Sequence, residues 1–320
     1  MYGCSLKGMR MTLKDTLVEI ARSNRKVVVI DCETGTATNI LPFKKEFPDR
    51  FVELGVAEQN SISFAFGVST SGYIPIVPLF GSFLTRRACD QIFIQVGYAN
   101  ANIKLIGCYS GLSTPNTGAT HQSVNDLSIM RSIPGIKIIE ACNESELKEV
   151  IIAAVNLYGP VYIRMIRGDI EPYESMDIRR DREFEIGKAL VLKEGGDITL
   201  IGCGFMVKRC LDAADQLAKQ GISAEVINCS TIKPLDENTI FRSATKTKAV
   251  VTAENHSVIG GLGSAITEFV SEYCPVPVKR IGILDSYGES GNLDDLFLKY
   301  GLTAQAVMEA VKCVLLIKKI

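Results

Sequence analysis

Three segments of this sequence hold side chains suited to binding and proton transfer. Glu58 begins a predicted helix that otherwise avoids charge, Phe80 and Phe83 follow a predicted strand, and His121 lies in a loop after the next strand. A carboxylate that is desolvated at a sheet edge has a raised pKa and can share a proton with a ligand nitrogen. Two neighbouring phenyl rings can form a flat apolar wall for a heteroaromatic ring.

Each of these residues also has a simpler interpretation. Glu58 could be a helix N-terminal carboxylate that interacts with the helix dipole. Phe80 and Phe83 could be ordinary core residues, and a single histidine such as His121 is more often structural than catalytic. The three segments nevertheless follow consecutive predicted strands, so a parallel sheet would bring them to one carboxyl edge, where open α/β folds bind ligands.

Short β-branched runs alternate with helix-length segments, which is typical of an α/β fold with mainly parallel sheets flanked by helices. The prolines at 75 and 78 predict that their strand lies near an edge or boundary. The predicted strands cover residues 26–30, 51–54, 74–79, 103–106, 137–139, 161–164, 197–201, 224–228, 249–253 and 278–281. The predicted helices cover residues 57–71, 86–98, 145–157, 206–220, 263–273 and 303–318, the first of them buried on most faces.

The chain is predicted to form two domains. Residues 168–188 are charged and hold no periodic apolar face, and the α/β alternation resumes after them. We therefore expect one domain over residues 1–172, a linker over 173–190 and a second domain over 191–320.

Composition excludes several classes of protein. Of the 320 residues, 35 are Lys or Arg and 36 are Asp or Glu, so the net charge is −1, which argues against a surface for nucleic acids or anionic membranes. The hydrophobic fraction of 47% excludes a largely disordered chain. Ten scattered cysteines without a CxxC pair indicate small buried hydrophobes in a reducing compartment. No apolar run approaches the length of a membrane span, so we expect a cytoplasmic protein.

Several motifs together resemble one enzyme family. The segments similar to the pyrimidine-binding domain of transketolase are ELGVAEQN, FGSF, GATHQSVNDLSIMRSIPG and PVYIRMIRGD. The segments that resemble the transketolase C-terminal domain are VTAENHSVIGGLGSAI and LDSYGESGNLDDLFLKYGLT. The resemblance covers nearly the whole chain in the family's order, and its motifs together are highly specific.

The resemblance implies a role for each candidate residue. Glu58 matches the glutamate that hydrogen-bonds N1′ of the thiamine diphosphate aminopyrimidine and promotes the tautomer whose 4′-nitrogen takes the proton from C2. Phe80 and Phe83 match the aromatic pocket around the pyrimidine ring. His121 matches the histidine near the reacting carbons. Arg167 matches the arginine that grips the terminal phosphate of the substrate, although a solvated arginine at a strand end would look the same.

Two departures from the family pattern concern the substrate. Where ordinary transketolases carry a phosphate-side histidine and an acidic pair, this sequence has Tyr109 and the pair Asn116 and Thr117. The resemblance therefore makes Tyr109 and Thr117 substrate-side residues. Loss of the acidic pair predicts that the sugar is not a standard pentose phosphate, or that its anionic end is not a simple phosphate. A sulfonated or branched sugar fits this prediction.

The family pattern also implies a partner. A complete transketolase has a preceding diphosphate-binding domain whose GDG…N motif holds a Mg²⁺ or Ca²⁺ ion on the cofactor, and no GDG occurs here. The chain is thus expected to be the C-terminal subunit of a split transketolase, in a heterotetramer of two chains of each type. His256 is expected to have a structural or interface role. The alternatives are the β subunit of a 2-oxoacid dehydrogenase and a non-catalytic interaction homologue, while deoxyxylulose-phosphate synthase should be a longer chain.

Overall fold

A computed structural model describes residues 8–167 and 184–318, whose strands form two mainly parallel sheets flanked by helices. The predicted α/β fold is confirmed. The strands are β1 Val27–Asp31, β2 Phe51–Glu53, β3 Ile74–Phe80, β4 Lys104–Cys108, β5 Lys137–Glu140, β6 Val161–Met165, β7 Leu190–Lys193, β8 Ile198–Gly202, β9 Ala224–Asn228, β10 Thr231–Lys233, β11 Val250–Ser257 and β12 Val278–Ile283.

The first sheet has seven strands in the order β10-β5-β6-β4-β3-β1-β2, all parallel except β10. The prediction that the proline-containing strand lies near an edge is wrong, because β3 lies between β1 and β4. Pro75 and Pro78 each lack the N–H that would join the ladder. Burial of the apolar side chains along β3 outweighs that loss.

The second sheet has the order β12-β11-β8-β9-β7, and β7 pairs with β9 antiparallel. The short strand β10 comes from the second half of the chain but pairs with β5 at the edge of the first sheet. A backbone hydrogen bond of 2.8 Å from Glu140 N to Ser230 O extends this contact. The two halves are therefore joined by shared sheet structure as well as by packing.

Most predicted helices are present with small shifts of their ends, but one is divided. The predicted helix 86–98 begins at Gly81, directly after β3, and continues as a three-residue helix and a π-helical turn, Ile92–Tyr98. The helices are α1 Met9–Ser23, α2 Gly35–Thr38, α3 Leu41–Glu46, α4 Glu58–Thr70, α5 Gly81–Arg87, α6 Cys89–Gln91, α7 Asp126–Arg131, α8 Glu144–Asn156, α9 Met206–Ala218, α10 Glu237–Thr247, α11 Leu262–Tyr273, α12 Leu293–Lys299 and α13 Ala304–Ile317, with a 3₁₀ turn at Pro48–Arg50.

A buried ionic cluster joins the two halves behind the carboxyl edge of the first sheet. Arg164 donates to Asp126 Oδ2 at 2.8 Å and to Glu140 Oε1 at 2.8 Å, and all three side chains are buried. The same guanidinium donates to the carbonyl oxygens of Ser123 and Asn255, at 3.0 and 2.9 Å. Because Asn255 belongs to β11, the cluster ties the second sheet to the first.

The predicted structural role of His256 agrees with its place beside this cluster. Its side chain is fully buried, its Nδ1 donates to Ser257 O at 2.7 Å, and its Nε2 accepts from Leu127 N at 3.1 Å. Burial lowers the pKa of His256 to about 4, so the ring is neutral. Burial alone would raise the pKa of Asp126, but the neighbouring Arg164 outweighs burial and holds that pKa below its usual range.

The second-half segment Leu293–Ile317 is long and apolar enough to be considered for a membrane span. In the structure it is divided into α12 and α13 by a turn at Gly301, and α13 packs its apolar face against α9 and the second sheet.

Most of the predicted linker, 173–190, lies outside the described residues. No disulfide joins any two of the nine described cysteines, and six of them are buried.

Candidate active site

The predicted site residues lie along one edge of the first sheet. Registers pair Phe80 with Cys108 and Cys108 with Met165, so β3, β4 and β6 end side by side. Glu58 begins α4 after β2, and Arg167 follows β6 by two residues. The parallel sheet thus brings together side chains that are far apart in sequence, as the strand pattern predicts.

Glu58 is a buried carboxylate with two unlike oxygens. Its residue is 3% exposed, and Oε1 accepts a 2.6 Å hydrogen bond from Arg87 Nη1. Oε2 is also buried but has no hydrogen-bond partner among the described residues. Since a buried polar atom without a partner is costly, Oε2 has the environment expected of an acceptor that awaits a ligand donor.

Three rings form a compact group beside this carboxylate. The ring centroids of Phe80 and Phe83 are 5.8 Å apart, and His121 lies 5.9 Å from Phe80 and 5.0 Å from Phe83. Arg87, which holds Glu58, also lies over the Phe83 ring at 4.7 Å. One arginine therefore links the buried carboxylate to the aromatic group.

Two contacts fix the orientation of the His121 ring and its loop. Nδ1 of His121 is 2.9 Å from Thr120 Oγ1. Arg86 Nη2 donates to Thr120 O at 2.8 Å and thereby attaches the loop to α5. The ring is only partly buried, which suits a group that exchanges protons with a bound molecule.

Tyr109 and Arg167 form a second, cationic end of the site. Tyr109 is fully buried, and its hydroxyl donates to Ala37 O. Its ring contacts Phe80 edge-on at 4.7 Å and lies under the Arg167 guanidinium at 5.2 Å. Arg167 is exposed, and its backbone N–H donates to Ser113 Oγ at 3.1 Å. The Tyr109 ring thus holds an exposed guanidinium next to the aromatic group.

Thr117 lies in the exposed part of the same loop, next to Asn116. Its Oγ1 donates to Thr114 O at 3.2 Å. This bond stabilises the local turn and leaves the hydroxyl oxygen able to accept a hydrogen bond. The predicted substrate role of Thr117 stays a prediction.

Sequence reasoning missed two charged residues of this edge. Arg87 is one of two adjacent arginines after Phe83, and nothing in its spacing identifies Glu58 as its partner. Asp31 ends β1, is 1% exposed and accepts from Thr34 N and Thr34 Oγ1 at 3.1 and 2.6 Å. Burial, together with neighbouring Glu53, raises the pKa of Asp31. An aspartate directly after a buried β-branched run was the available signal for it.

A mainly parallel sheet with charged and aromatic side chains gathered at its carboxyl edge is an arrangement that open α/β folds use to bind ligands. Comparison with protein families agrees. The transketolase pyrimidine binding domain matches residues 7–172, and the transketolase C-terminal domain matches residues 187–307. The chain belongs to the transketolase family.

Two relatives that this chain matches over nearly their whole length are named as transketolase subunits. The 6-deoxy-6-sulfo-D-fructose transketolase subunit SqwH of Clostridium sp. (strain MSTE9) is 44% identical over 302 residues, covering 94% of this chain and 92% of that protein. A subunit of the apulose-4-phosphate transketolase of Phocaeicola vulgatus is 34% identical over 299 residues, covering 93% of this chain and 94% of that protein. A solved split gene transketolase, an inactive β4 tetramer, matches with a TM-score of 0.89 and 39% identity over 97% of this chain and 99% of that one.

These matches confirm the prediction of a split transketolase subunit, a transferase component that depends on a partner chain. They do not favour the β subunit of a 2-oxoacid dehydrogenase or a non-catalytic homologue. Thiamine diphosphate follows from the family.

Proposed function

We propose that this chain supplies the pyrimidine-side and substrate-side groups of a transketolase centre that it shares with an N-terminal subunit. The observation that carries the proposal is the Glu58 carboxylate, with one oxygen held by Arg87 and the other buried without a partner among the described residues. That carboxylate lies beside an aromatic group at the carboxyl edge of a parallel sheet. Such an arrangement fits the N1′ side of an aminopyrimidine.

Thiamine diphosphate, when bound, supplies the nucleophilic carbon that cleaves the C2–C3 bond of a ketose and carries the two-carbon unit to an aldose. The residues of this chain prepare that chemistry. Glu58 holds or accepts a proton at Oε2, and Arg87 keeps the carboxylate oriented. Phe80 and Phe83 exclude water from the pyrimidine side. His121 is placed to move protons to and from the substrate oxygens.

For the far end of the sugar we propose Arg167 as the anion-binding residue. Its exposed guanidinium rests on the Tyr109 ring, and a guanidinium fork suits both phosphate and sulfonate oxygens. Because the Tyr109 hydroxyl is engaged with Ala37 O, we propose that Tyr109 acts by supporting Arg167. Thr117 is proposed to contact the sugar hydroxyls in place of an acidic side chain.

The substrate we propose is a ketose that is not one of the usual pentose phosphates, or one whose anionic end is not a simple phosphate. Two observations support it: the neutral pair Asn116 and Thr117, and the names of the two relatives, which refer to 6-deoxy-6-sulfo-D-fructose and apulose 4-phosphate. The test is a donor panel containing xylulose 5-phosphate, 6-deoxy-6-sulfofructose and apulose 4-phosphate, with several aldose acceptors. A preference for xylulose 5-phosphate and ribose 5-phosphate over all other sugars would contradict this proposal.

The proposed assembly is a heterotetramer of two chains of each type, with Mg²⁺ or Ca²⁺ bound by the diphosphate-binding domain of the partner subunit.

Within this chain we propose residues 1–172 as the pyrimidine-binding domain, 173–190 as the linker and 191–320 as the C-terminal domain. The family matches to residues 7–172 and 187–307 support these limits. We propose the cytoplasm as the compartment, since no disulfide joins any two of the nine described cysteines. We propose no nucleic acid or membrane as partner.

The proposal is tested by reconstitution with an N-terminal subunit that contains the GDG…N motif. We expect ketol transfer only when both chains, thiamine diphosphate and a divalent cation are present. Decarboxylation of a 2-oxoacid by the assembled complex, without ketose cleavage, would contradict the proposal.

A further inference from the structure

The loop that carries His121 is held by the second half of the chain. We call residues 110–122 the substrate loop and residues 288–291 the bracing segment. We propose that the bracing segment, together with Asn255, positions the substrate loop for catalysis, so that the C-terminal domain acts on the sugar through His121. This inference rests on the proposed contact of His121 with substrate.

Two hydrogen bonds and one close approach join the bracing segment to the end of the substrate loop. Gln122, the neighbour of His121, donates from Nε2 to Glu289 O at 3.0 Å. Gly291 N donates to Pro115 O at 3.1 Å. A Cβ on Gly118 would lie 2.6 Å from Ser290 Oγ, and Gly118 has a φ of +71°, so both space and backbone conformation require glycine there.

The beginning of the substrate loop is held from a different strand. Asn255 of β11 accepts from Leu112 N at 3.1 Å, and its Nδ2 donates to Ser110 O at 3.4 Å. Its backbone oxygen accepts from Arg164 at 2.9 Å. The loop is therefore attached at both ends to the second half of the chain, and one attachment leads into the buried ionic cluster.

The bonds within the substrate loop set its local shape. A pair of backbone bonds between Gly111 and Ser123 closes its base, at 2.9 and 3.0 Å. The N–H groups of His121 and Gln122 both donate to Gly118 O and form a local turn. These bonds fix the shape of the turn, whereas its position depends on the bond from Arg86 to Thr120 O and on the bonds to Glu289 and Gly291. A shift of about 1 Å in a positioning group is enough to reduce catalysis strongly.

Gly288 offers a way to loosen this contact from the second half of the chain. A Cβ at Gly288 would lie 1.8 Å from Gln122 Oε1 and 3.1 Å from Leu112 Cδ2. The Gln122 amide is the far end of a flexible side chain, so in Gly288→Ala it must move away and lose its bond to Glu289 O. Gly196→Ala is the matched control, because it lies in the same half and its Cβ would meet no atom within 4 Å.

With the reconstituted enzyme, we expect Gly288→Ala to lower kcat/KM for the sugar by about tenfold, the equivalent of one lost hydrogen bond. We expect the Kd of thiamine diphosphate to stay within about twofold, and Gly196→Ala to match the wild type. Equal sugar kinetics for Gly288→Ala and Gly196→Ala would overturn the inference. If Gly288→Ala does not fold, Gln122→Met removes the same amide donor at similar volume and is subject to the same criteria.

A double-mutant cycle identifies the route of the effect. If the bracing segment acts through His121, Gly288→Ala should have little further effect in a His121→Ala background. A full tenfold effect in that background would refute positioning through His121. If His121→Ala alone retains wild-type activity, the proposed role of His121 is wrong, and the inference is wrong as well. The single variant thus distinguishes a failure of the proposed function from a failure of the positioning inference.

Discussion

Glu58→Gln is the variant that tests the proposed cofactor contact most directly. The structure gives its two oxygens different tasks, since Oε1 accepts from Arg87 and Oε2 has no partner among the described residues. A glutamine can keep the first interaction through its amide oxygen. It places an NH₂ donor where the second oxygen stood, and that donor cannot accept a proton from a ligand nitrogen.

The expected loss in kcat is about 10²- to 10⁴-fold, the usual contribution of one positioned acid–base group. This corresponds to about 3–5 kcal/mol of activation free energy. The effect on folding should be much smaller, because the Arg87 side chain is 47% exposed and water can solvate its charge when the carboxylate is replaced. Activity and stability are thus expected to separate in this variant.

The assay is ketol transfer by the reconstituted complex at saturating thiamine diphosphate and cation, together with thermal unfolding and size-exclusion chromatography. Glu46→Gln is the matched control, because Glu46 makes a similar 2.7 Å ion pair with Arg22 on the exposed surface. The control should leave kcat unchanged. A Glu58→Gln enzyme with kcat within threefold of wild type would refute the assignment of Oε2 to the cofactor.

Three further changes probe the groups around the site. Arg164→Met should reduce the free energy of unfolding by about 3–5 kcal/mol in urea titration, because two buried carboxylates lose their cation; a change no larger than that of the exposed-pair variant Arg22→Met would contradict this. Burial lowers the pKa of His256 from 6.5 to about 4. As the pH falls, this histidine is therefore protonated in the unfolded chain before it is protonated in the folded chain. The free energy of unfolding should decrease by about 3 kcal/mol between about pH 6.5 and about pH 4. His256→Gln should flatten that part of the stability curve, and an unchanged slope would show that other groups cause it. Arg87→Leu should lower kcat by about tenfold and Arg87→Lys by less, since only the latter keeps a cation beside the buried carboxylate; equal kcat for the two variants would argue against this orienting role.

The sequence predicts most of this fold because buried parallel strands have a strong local signal. In β1 the residues 27–30 are β-branched and apolar, and the structure buries every residue of the strand. The convergence of Glu58, Phe80 and His121 at one sheet edge also follows from strand order alone. These inferences need only local composition and the rule that parallel strands end at the same edge.

Other features depend on contacts that no local pattern encodes. The three-residue strand β10 is too short to show a period, and its pairing with β5 is set by how the two halves pack. The position of β3 inside the sheet contradicts the usual preference of proline for edges, because tertiary burial outweighs that preference. The ion pair between Arg87 and Glu58 spans 29 positions and was likewise not predictable.

The misjudged burial of α4 bears on the partner subunit. Its lack of charge after Glu58 predicts a helix buried on most faces, yet only Glu58, Ser61, Ile62 and Ala65 are buried in this chain. Phe64 in the same helix is 39% exposed, and Val56 just before the helix is exposed as well. An uncharged, partly apolar helix face that begins at Glu58 is unfavourable in water but suits a subunit interface. This pattern agrees with the proposed assembly, in which we expect α4, the helix that begins with Glu58, to lie against the partner subunit.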